Sequence, residues 1–254
     1  MTNRILLTSK KMKENLHIFY VPEAKNAASG TVVYLGGDEA LHCSRVLRLK
    51  SGDEAALVDG FGGMYTARLL ECHKDTVSAE IVEVCSDVYR RSYYNHIAIA
   101  PTKNTDRFEW FVEKAVEFGI DEITPLLCAH SERKVLKLDR IEKILISAVK
   151  QSGNVVMPKL NPLTPFADFL RSAKAAKKLI AHCESGMEKV FFKDAVCKND
   201  SVITLIGPEG DFSKEEISMA LGSGFCAVSL GETRLRTETA GVAACAFLVC
   251  VNGF

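Results

Sequence analysis

The chain has 254 residues, room for two domains or one large one, and its 47% hydrophobic and 25% charged content is that of a soluble globular protein. Its 32 basic and 32 acidic side chains give a formal net charge of zero, so no global field draws it onto nucleic acid and any such binding needs local patches. Nine scattered cysteines form no C-x-x-C pair and meet no histidine at zinc-finger spacing, which argues against a metal site and for small buried hydrophobes in a reducing cytosol.

The first 21 residues are basic but lack an uninterrupted apolar core and a small-residue cleavage site, a poor signal peptide. Met12 is an alternative start, because periodicity begins only after it. From Leu16 the pattern is β: 16–21, 31–35, 54–59, 64–70 and 76–84 are short strand candidates, several alternating, as in Val77-Ser-Ala-Glu-Ile-Val-Glu-Val84. Asp59-Gly-Phe-Gly-Gly63 is a hairpin signal, and Asp38 to Lys50 inserts one short helix. Many short strands joined by tight turns predict a small barrel.

Ser86 to Asn95 is a polar linker carrying Tyr89, Arg90, Arg91, Tyr93 and Tyr94. After it, strands and helices alternate. His96–Ala100 is a strand. Asp106–Phe118 is a helix with Phe108, Phe111, Ala115 and Phe118 on one face and Gly119 as its stop. The strand 122–128, the helices 139–152 and 166–176 and the strand 178–182 follow, as expected for an α/β domain with a mainly parallel sheet. The longest uncharged run, 239–254, is too short and too rich in small residues to span a membrane.

Two glycine-bearing turns close the chain. Val202–Ile206 reads as a buried strand broken by Gly207-Pro-Glu-Gly210, and Ser213 with Glu216 forms a capping box that opens a helix ending near Gly222 and Gly224. Phe225–Leu230 is the next strand, ended by Gly231; Thr237 can cap a last helix through Val251. Glycine turns at the C-terminal ends of neighbouring strands are where open α/β sheets bind ligands, through backbone groups that a missing Cβ leaves accessible. There is no Walker loop and no G-x-G-x-x-G, which argues against a triphosphate or dinucleotide. The acidic Glu209 and Asp211 suit a ligand with a cationic end or sugar hydroxyls, such as S-adenosylmethionine. Arg234, Arg236 and Glu238 surround the start of the last helix. The plain structural alternative pairs Arg236 with Glu238 or another carboxylate; the functional one aims an arginine at an anionic substrate or a carbonyl edge.

Gly207-Pro-Glu-Gly-Asp-Phe-Ser213, Leu230-Gly231 and Leu235-Arg-Thr-Glu-Thr-Ala240 resemble the RsmE family of ribosomal small-subunit RNA methyltransferases in the SPOUT superfamily. The resemblance extends over nearly the whole chain: His42-x-x-x-Val-Leu-Arg48 with Gly52-Asp53, Lys103, Glu113-Lys-Ala-x-Glu-x-Gly119, Pro125 and Gln151-Ser152 also match. The family usually has a second glycine where Asp211 stands, and often an arginine and an aliphatic residue at 233 and 234. The resemblance implies a PUA-like β-barrel for RNA docking over 1–88, an α/β SPOUT domain with a deep trefoil knot over 89–254, and a cytoplasmic homodimer; the small residues from Ala240 to Ala246 predict that the last helix serves that dimer in part. It implies methylation of N3 of a uridine in 16S ribosomal RNA, with S-adenosylmethionine as cofactor and the small ribosomal subunit as partner. Leu205, Gly207, Glu209, Gly210, Leu230, Gly231, Leu235 and Thr239 are then the expected cofactor residues. Arg236 would stabilise charge on a uracil carbonyl, and Glu238 would orient it or assist proton removal. Arg45, Arg48, Arg90, Arg91, Lys103 and Arg107 are expected RNA contacts, with Arg133 and Lys134 as further candidates. A non-catalytic RNA-binding protein of the same fold is the alternative. A small-molecule methyltransferase would leave the barrel unexplained.

Overall fold

The computed structural model describes residues 16–85 and 91–253. Met12, the leader question, Tyr89, Arg90 and the expected 88/89 boundary lie outside the described residues. The chain divides into two compact units: one spans residues up to Arg90 and includes Val149–Met157, the other holds Arg91–Ala148 and Pro158–Phe254.

The first unit is a five-stranded sheet of β1 (Ile18–Tyr20), β2 (Val32–Gly36), β3 (Glu54–Val58), β4 (Met64–Cys72) and β5 (Thr76–Cys85), in the order β1-β3-β4-β5-β2. Only β1 and β3 run parallel. Register shifts in the β4–β5 ladder bend the long strands, and the sheet curls into a half-barrel around Phe19, Leu35, Leu57, Leu69 and Ile81, all 1% exposed or less. The β3–β4 turn is built by Asp59, whose Oδ1 accepts from the N–H groups of Phe61 and Gly63 at 2.7 and 2.9 Å, while Oδ2 accepts from the Tyr65 hydroxyl at 3.0 Å. The expected helix between residues 38 and 50 is an α-turn, Gly37–Leu41, continued by a π-turn, His42–Val46.

The second unit is a parallel sheet of β6 (Tyr94–Ile99), β7 (Glu122–Leu127), β8 (Lys159–Leu160), β10 (Lys177–Ala181), β11 (Val190–Phe191), β12 (Ser201–Ile206) and β13 (Cys226–Ser229); β9 (Thr164–Pro165) pairs in parallel with the end of β7. The order is β11-β13-β10-β12-β6-β7-β8. The two glycine turns therefore do not end neighbouring strands: β10 lies between β12 and β13, and crossover connections separate what sequence order suggests is adjacent. The short β8, β9 and β11, two residues each, carried no readable period.

Helix Thr105–Glu117 is capped by Asn104, whose side chain accepts from the Asp106 N–H at 3.0 Å, and it buries Phe108, Phe111, Val112, Ala115 and Val116. The capping box of Ser213 and Glu216 on helix Lys214–Gly222 is present as expected. The last helix, Thr237–Asn252, packs on helix Thr105–Glu117, β6 and β12. Gly241 faces Phe111, and Ala244, Cys245 and Leu248 are fully buried, while Ala240, Ala243 and Ala246 are half-buried. Three of the nine cysteines are buried, but Cys183, Cys197, Cys226 and Cys250 are exposed, so the buried-hydrophobe expectation fails for these four. Among the described residues no helix is long and apolar enough to cross a membrane, and no group of residues could hold a metal ion.

A polar cluster at the start of β6 and β7 gives this unit a pH response. His96 Nε2 lies 2.7 Å from the Thr124 hydroxyl, and Glu122 accepts from Tyr94, Lys159 and Asn161. Burial pushes His96 down to about 4. Burial alone would raise Glu122, but bonds from Lys159 and Asn161, with His96 and Tyr94, hold it at about 2. Both folded values lie below the unfolded ones, so stability is full above about pH 6.5 and falls with acid: the His96 contribution fades between 6.5 and about 4, that of Glu122 between 4.5 and about 2. A displacement from 6.5 to about 4 corresponds to about 3 kcal/mol. Melting temperature against pH should therefore begin to drop near pH 6.5, and His96→Gln should flatten the drop between 6.5 and about 4; an unchanged profile in the variant would clear His96 of the effect.

Candidate active site

Three loops leave the C-terminal ends of β10, β12 and β13 and enclose a cavity of about 650 Å³. Its walls are residues 181–183, the turn 207–209 with Asp211, and the segment 228–237. Such crevices beyond strand ends are where parallel sheets take ligands.

The turn after β12 is held from three sides. Asp211 sits in the left-handed region at φ 64°, which explains why glycine serves at this place in the family and why aspartate, tolerant of that conformation, can replace it. The aspartate also bonds: Oδ2 accepts from the Cys183 N–H and Oδ1 from the Phe212 N–H, at 2.7 and 2.8 Å. Glu209 Oε1 accepts from the Lys103 N–H at 2.9 Å, and its carbonyl accepts from Arg234 at 3.3 Å. Both acidic side chains thus tie loops together, and both also line the cavity. Thr237 does not cap the last helix. Its hydroxyl donates to the Gly207 carbonyl at 3.0 Å, and Arg236 occupies the capping position. Gly231 lies at φ 148°, where a side chain would be strained.

His182 is the unspent group in the cavity. It is 7% exposed, lines the cavity at the end of β10, and neither ring nitrogen has a hydrogen-bond partner among the described residues. Burial pushes its pKa down, Lys189 adds to this, and Asp211 and Glu184 oppose it. A neutral imidazole presents one donor and one acceptor.

Of the expected cofactor residues, Gly207, Glu209, Leu230, Gly231 and Leu235 line the cavity. Three do not. Leu205 is fully buried in the hydrophobic core. Gly210 faces His130, with a Cβ there meeting the His130 Cβ at 3.1 Å. Thr239 lies one helical step further on, in a separate cleft of about 590 Å³. That cleft is lined by Asp106, Arg107, Trp110, Glu238 and Thr239, and it shares Arg234, Leu235 and Arg236 with the cavity. Arg236 is exposed and has no ion pair among the described residues. Glu238 is 7% exposed; its Oε1 lies 3.9 Å from Arg107 Nε, and Oε2 has no partner among the described residues. The pairing of Arg236 with Glu238 is therefore not formed: Arg107 takes that place.

The cationic candidates separate by burial. Arg45 and Arg48 are exposed on the turn after the first helix. Lys103 is exposed and pairs with Glu132 at 2.7 Å, and Lys134 is exposed. Arg91 is not a surface contact: its side chain is 10% exposed and lies 2.6 Å from Asp121 Oδ1, in a slot that a Cβ at Gly119 would fill, 2.9 Å from Nη1. Tyr93 stacks under its guanidinium, and the Tyr94 hydroxyl donates to Glu122, so the linker aromatics hold the domain. Arg133 is spent on the Thr102 and Lys103 carbonyls at 3.0 and 2.5 Å. Sequence reasoning missed His182, Cys183 and Trp110. The first two stand directly after a strand, where the sheet rule for ligands could have flagged them. Trp110 occupies the polar side of an amphipathic helix, a departure from the pattern that was itself a signal.

A half-barrel unit and a parallel α/β unit with its cavity at the strand ends are the two parts of a PUA-bearing RNA methyltransferase. Residues 91–249 match the RNA methyltransferase domain family and residues 35–82 the RNA methyltransferase PUA domain family. Ribosomal RNA small subunit methyltransferase E of Synechocystis sp. is 30% identical over 213 residues, 81% of this chain and 68% of that protein. A methyltransferase from Legionella pneumophila, solved with the bound cofactor SAM, is 31% identical with a TM-score of 0.84, over 93% of this chain and 98% of that one. Ribosomal RNA small subunit methyltransferase E from Neisseria gonorrhoeae, bound to S-adenosyl methionine, is 30% identical with a TM-score of 0.78 over the same shares. The chain belongs to the RsmE family of ribosomal RNA methyltransferases.

Proposed function

We propose that the protein transfers a methyl group from S-adenosylmethionine to N3 of one uridine in the 16S RNA of the small ribosomal subunit. The observation that carries the reading is the strand-end cavity with its unpartnered, buried His182, in a chain of this family. The cavity suits the cofactor. Its volume of about 650 Å³ is in the range of small-molecule sites. Val228, Leu230 and Leu235 offer apolar walls for an adenine, and the His182 ring offers a donor and an acceptor for sugar hydroxyls. Gly207, Glu209, Leu230, Gly231 and Leu235 are the residues that would hold it.

When bound, the cofactor supplies an electrophilic methyl group. The chain's own part is charge and proton handling. Arg236, free of an ion pair, donates to a uracil carbonyl as negative charge develops there. Glu238 carries an open carboxylate oxygen for the N3 proton. Arg45, Arg48 and Lys103 supply cationic contacts to RNA phosphates, with residues 1–88 as the docking domain and 89–254 as the transferase. A cytoplasmic homodimer and a trefoil knot in the C-terminal domain belong to the same reading. Sedimentation at micromolar concentration tests the dimer, and a monomer there rejects it.

Incubation with labelled S-adenosylmethionine and small subunits lacking the modification should label one nucleoside, mapped as N3-methyluridine. Retained RNA binding without any label would leave the non-catalytic alternative. A second expected result concerns Asp211. Asp211→Ala loses the bonds to Cys183 and Phe212 and strains the left-handed backbone, so calorimetric cofactor affinity should fall at least tenfold, about 1.4 kcal/mol. Asp211→Gly keeps the conformation and should lose less; equal affinities in all three proteins would remove Asp211 from the site's support.

A further inference from the structure

The cleft beside the last helix has a composition that the methyl-donor cavity does not explain. Trp110 is 43% exposed, on a helix whose Phe108 and Phe111 are fully buried. The same cleft holds Glu238, 7% exposed, with Oε2 lacking a partner among the described residues. Leaving a buried carboxylate oxygen unbonded is costly, so the arrangement makes sense if a donor arrives from outside. Arg107 flanks Oε1 at 3.9 Å, and Arg236 lines the same cleft. The cleft therefore holds two guanidinium donors, Arg107 and Arg236, and one open acceptor, Glu238 Oε2.

That pattern complements one pairing edge. Uracil presents acceptor, donor, acceptor at O2, N3–H and O4. Cytosine would set its N3 lone pair against the carboxylate. Guanine offers N1–H but turns its 2-amino group toward an arginine. We propose that this cleft receives the target uracil, its face on Trp110, its N3–H on Glu238 Oε2, and its carbonyl oxygens on Arg107 and Arg236. This deepens the methyl-transfer reading and rests on it. Arg107 becomes a base-specificity residue in place of a phosphate contact, and Trp110 the stacking platform. The three residues shared by cleft and cavity, Arg234 to Arg236, put the base beside the methyl donor's wall.

Trp110 is the single tryptophan of the chain, so intrinsic fluorescence reports on this cleft. The full chain is titrated with short single-stranded RNAs that differ only at the central base: uridine, cytidine or N3-methyluridine. The uridine RNA should quench saturably, and the other two should need at least tenfold higher concentration, since each carries no N3–H to donate. Glu238→Ala should keep the quenching and erase the preference, because stacking tolerates any base. Equal quenching by uridine and cytidine RNAs in the unaltered protein overturns the assignment, as does an undiminished preference in folded Glu238→Ala. Labelled methyl transfer to the small subunit, run in parallel, separates the two levels. Transfer without base preference removes the cleft and leaves the activity. Preference without transfer keeps the cleft and removes the activity.

Discussion

Replacing Arg236 by lysine should lower turnover roughly a hundredfold and leave cofactor binding little changed. Arg236 stands at the capping position of the last helix, exposed, without an ion pair among the described residues, and on the rim of both cavity and cleft. No structural duty holds it there, so its loss should cost chemistry and not stability. Lysine keeps the charge but loses the planar fork that can follow charge onto a carbonyl oxygen, an effect worth about 2.7–4 kcal/mol for a well-placed donor. Single-turnover rates with saturating cofactor measure this directly. Turnover equal to that of the unaltered protein would pass the role to Arg234, whose guanidinium now lies 3.3 Å from the Glu209 carbonyl. A fall in melting temperature would instead make Arg236 structural.

The largest expected effect on stability is at Gly241. A Cβ there would stand 2.6 and 2.7 Å from the Phe111 ring and 3.0 Å from Ile99 Cδ1. Phe111 and Ile99 are both fully buried, so neither can withdraw into solvent. Gly241→Val should cost about 3 kcal/mol or more through overpacking, and lower the melting temperature by about 6–12 °C for a chain of this size. Because the same helix carries Glu238 and opens at Arg236, cofactor binding and activity should fall with it. A variant that melts at the original temperature would show that the last helix can move away from helix Thr105–Glu117 without penalty, and the packing argument would fail.

Local signals were legible where a short-range rule decides the outcome. The capping box at Ser213 and Glu216, the Asp59 hairpin, the Gly119 stop and the β-to-α/β change of rhythm all depend on neighbours within a few residues. The two glycine turns that line the cavity were legible because glycine beside a strand end is a local statement about backbone access. Arg91 and Arg133 were misjudged for the opposite reason. A cation looks solvent-facing in sequence, and only distant partners, Asp121 for one and the Thr102 and Lys103 carbonyls for the other, show that it is internal. Gly210 and Thr239 sit within one residue of groups that do line the cavity, yet a turn or one helical step points them elsewhere.

By itself the sequence determined the two kinds of domain, the position of the two glycine turns and the family, because periodicity, turn chemistry and motif spacing are properties of contiguous residues. The tertiary structure decided that β10 runs between the two glycine turns and brings His182 into the cavity. It also decided that Asp211 bridges to Cys183, and that Trp110, Arg107 and Glu238, spread over more than a hundred residues, share one cleft. Strand order and burial arise from which surfaces exclude water together, and no window of the chain contains that information.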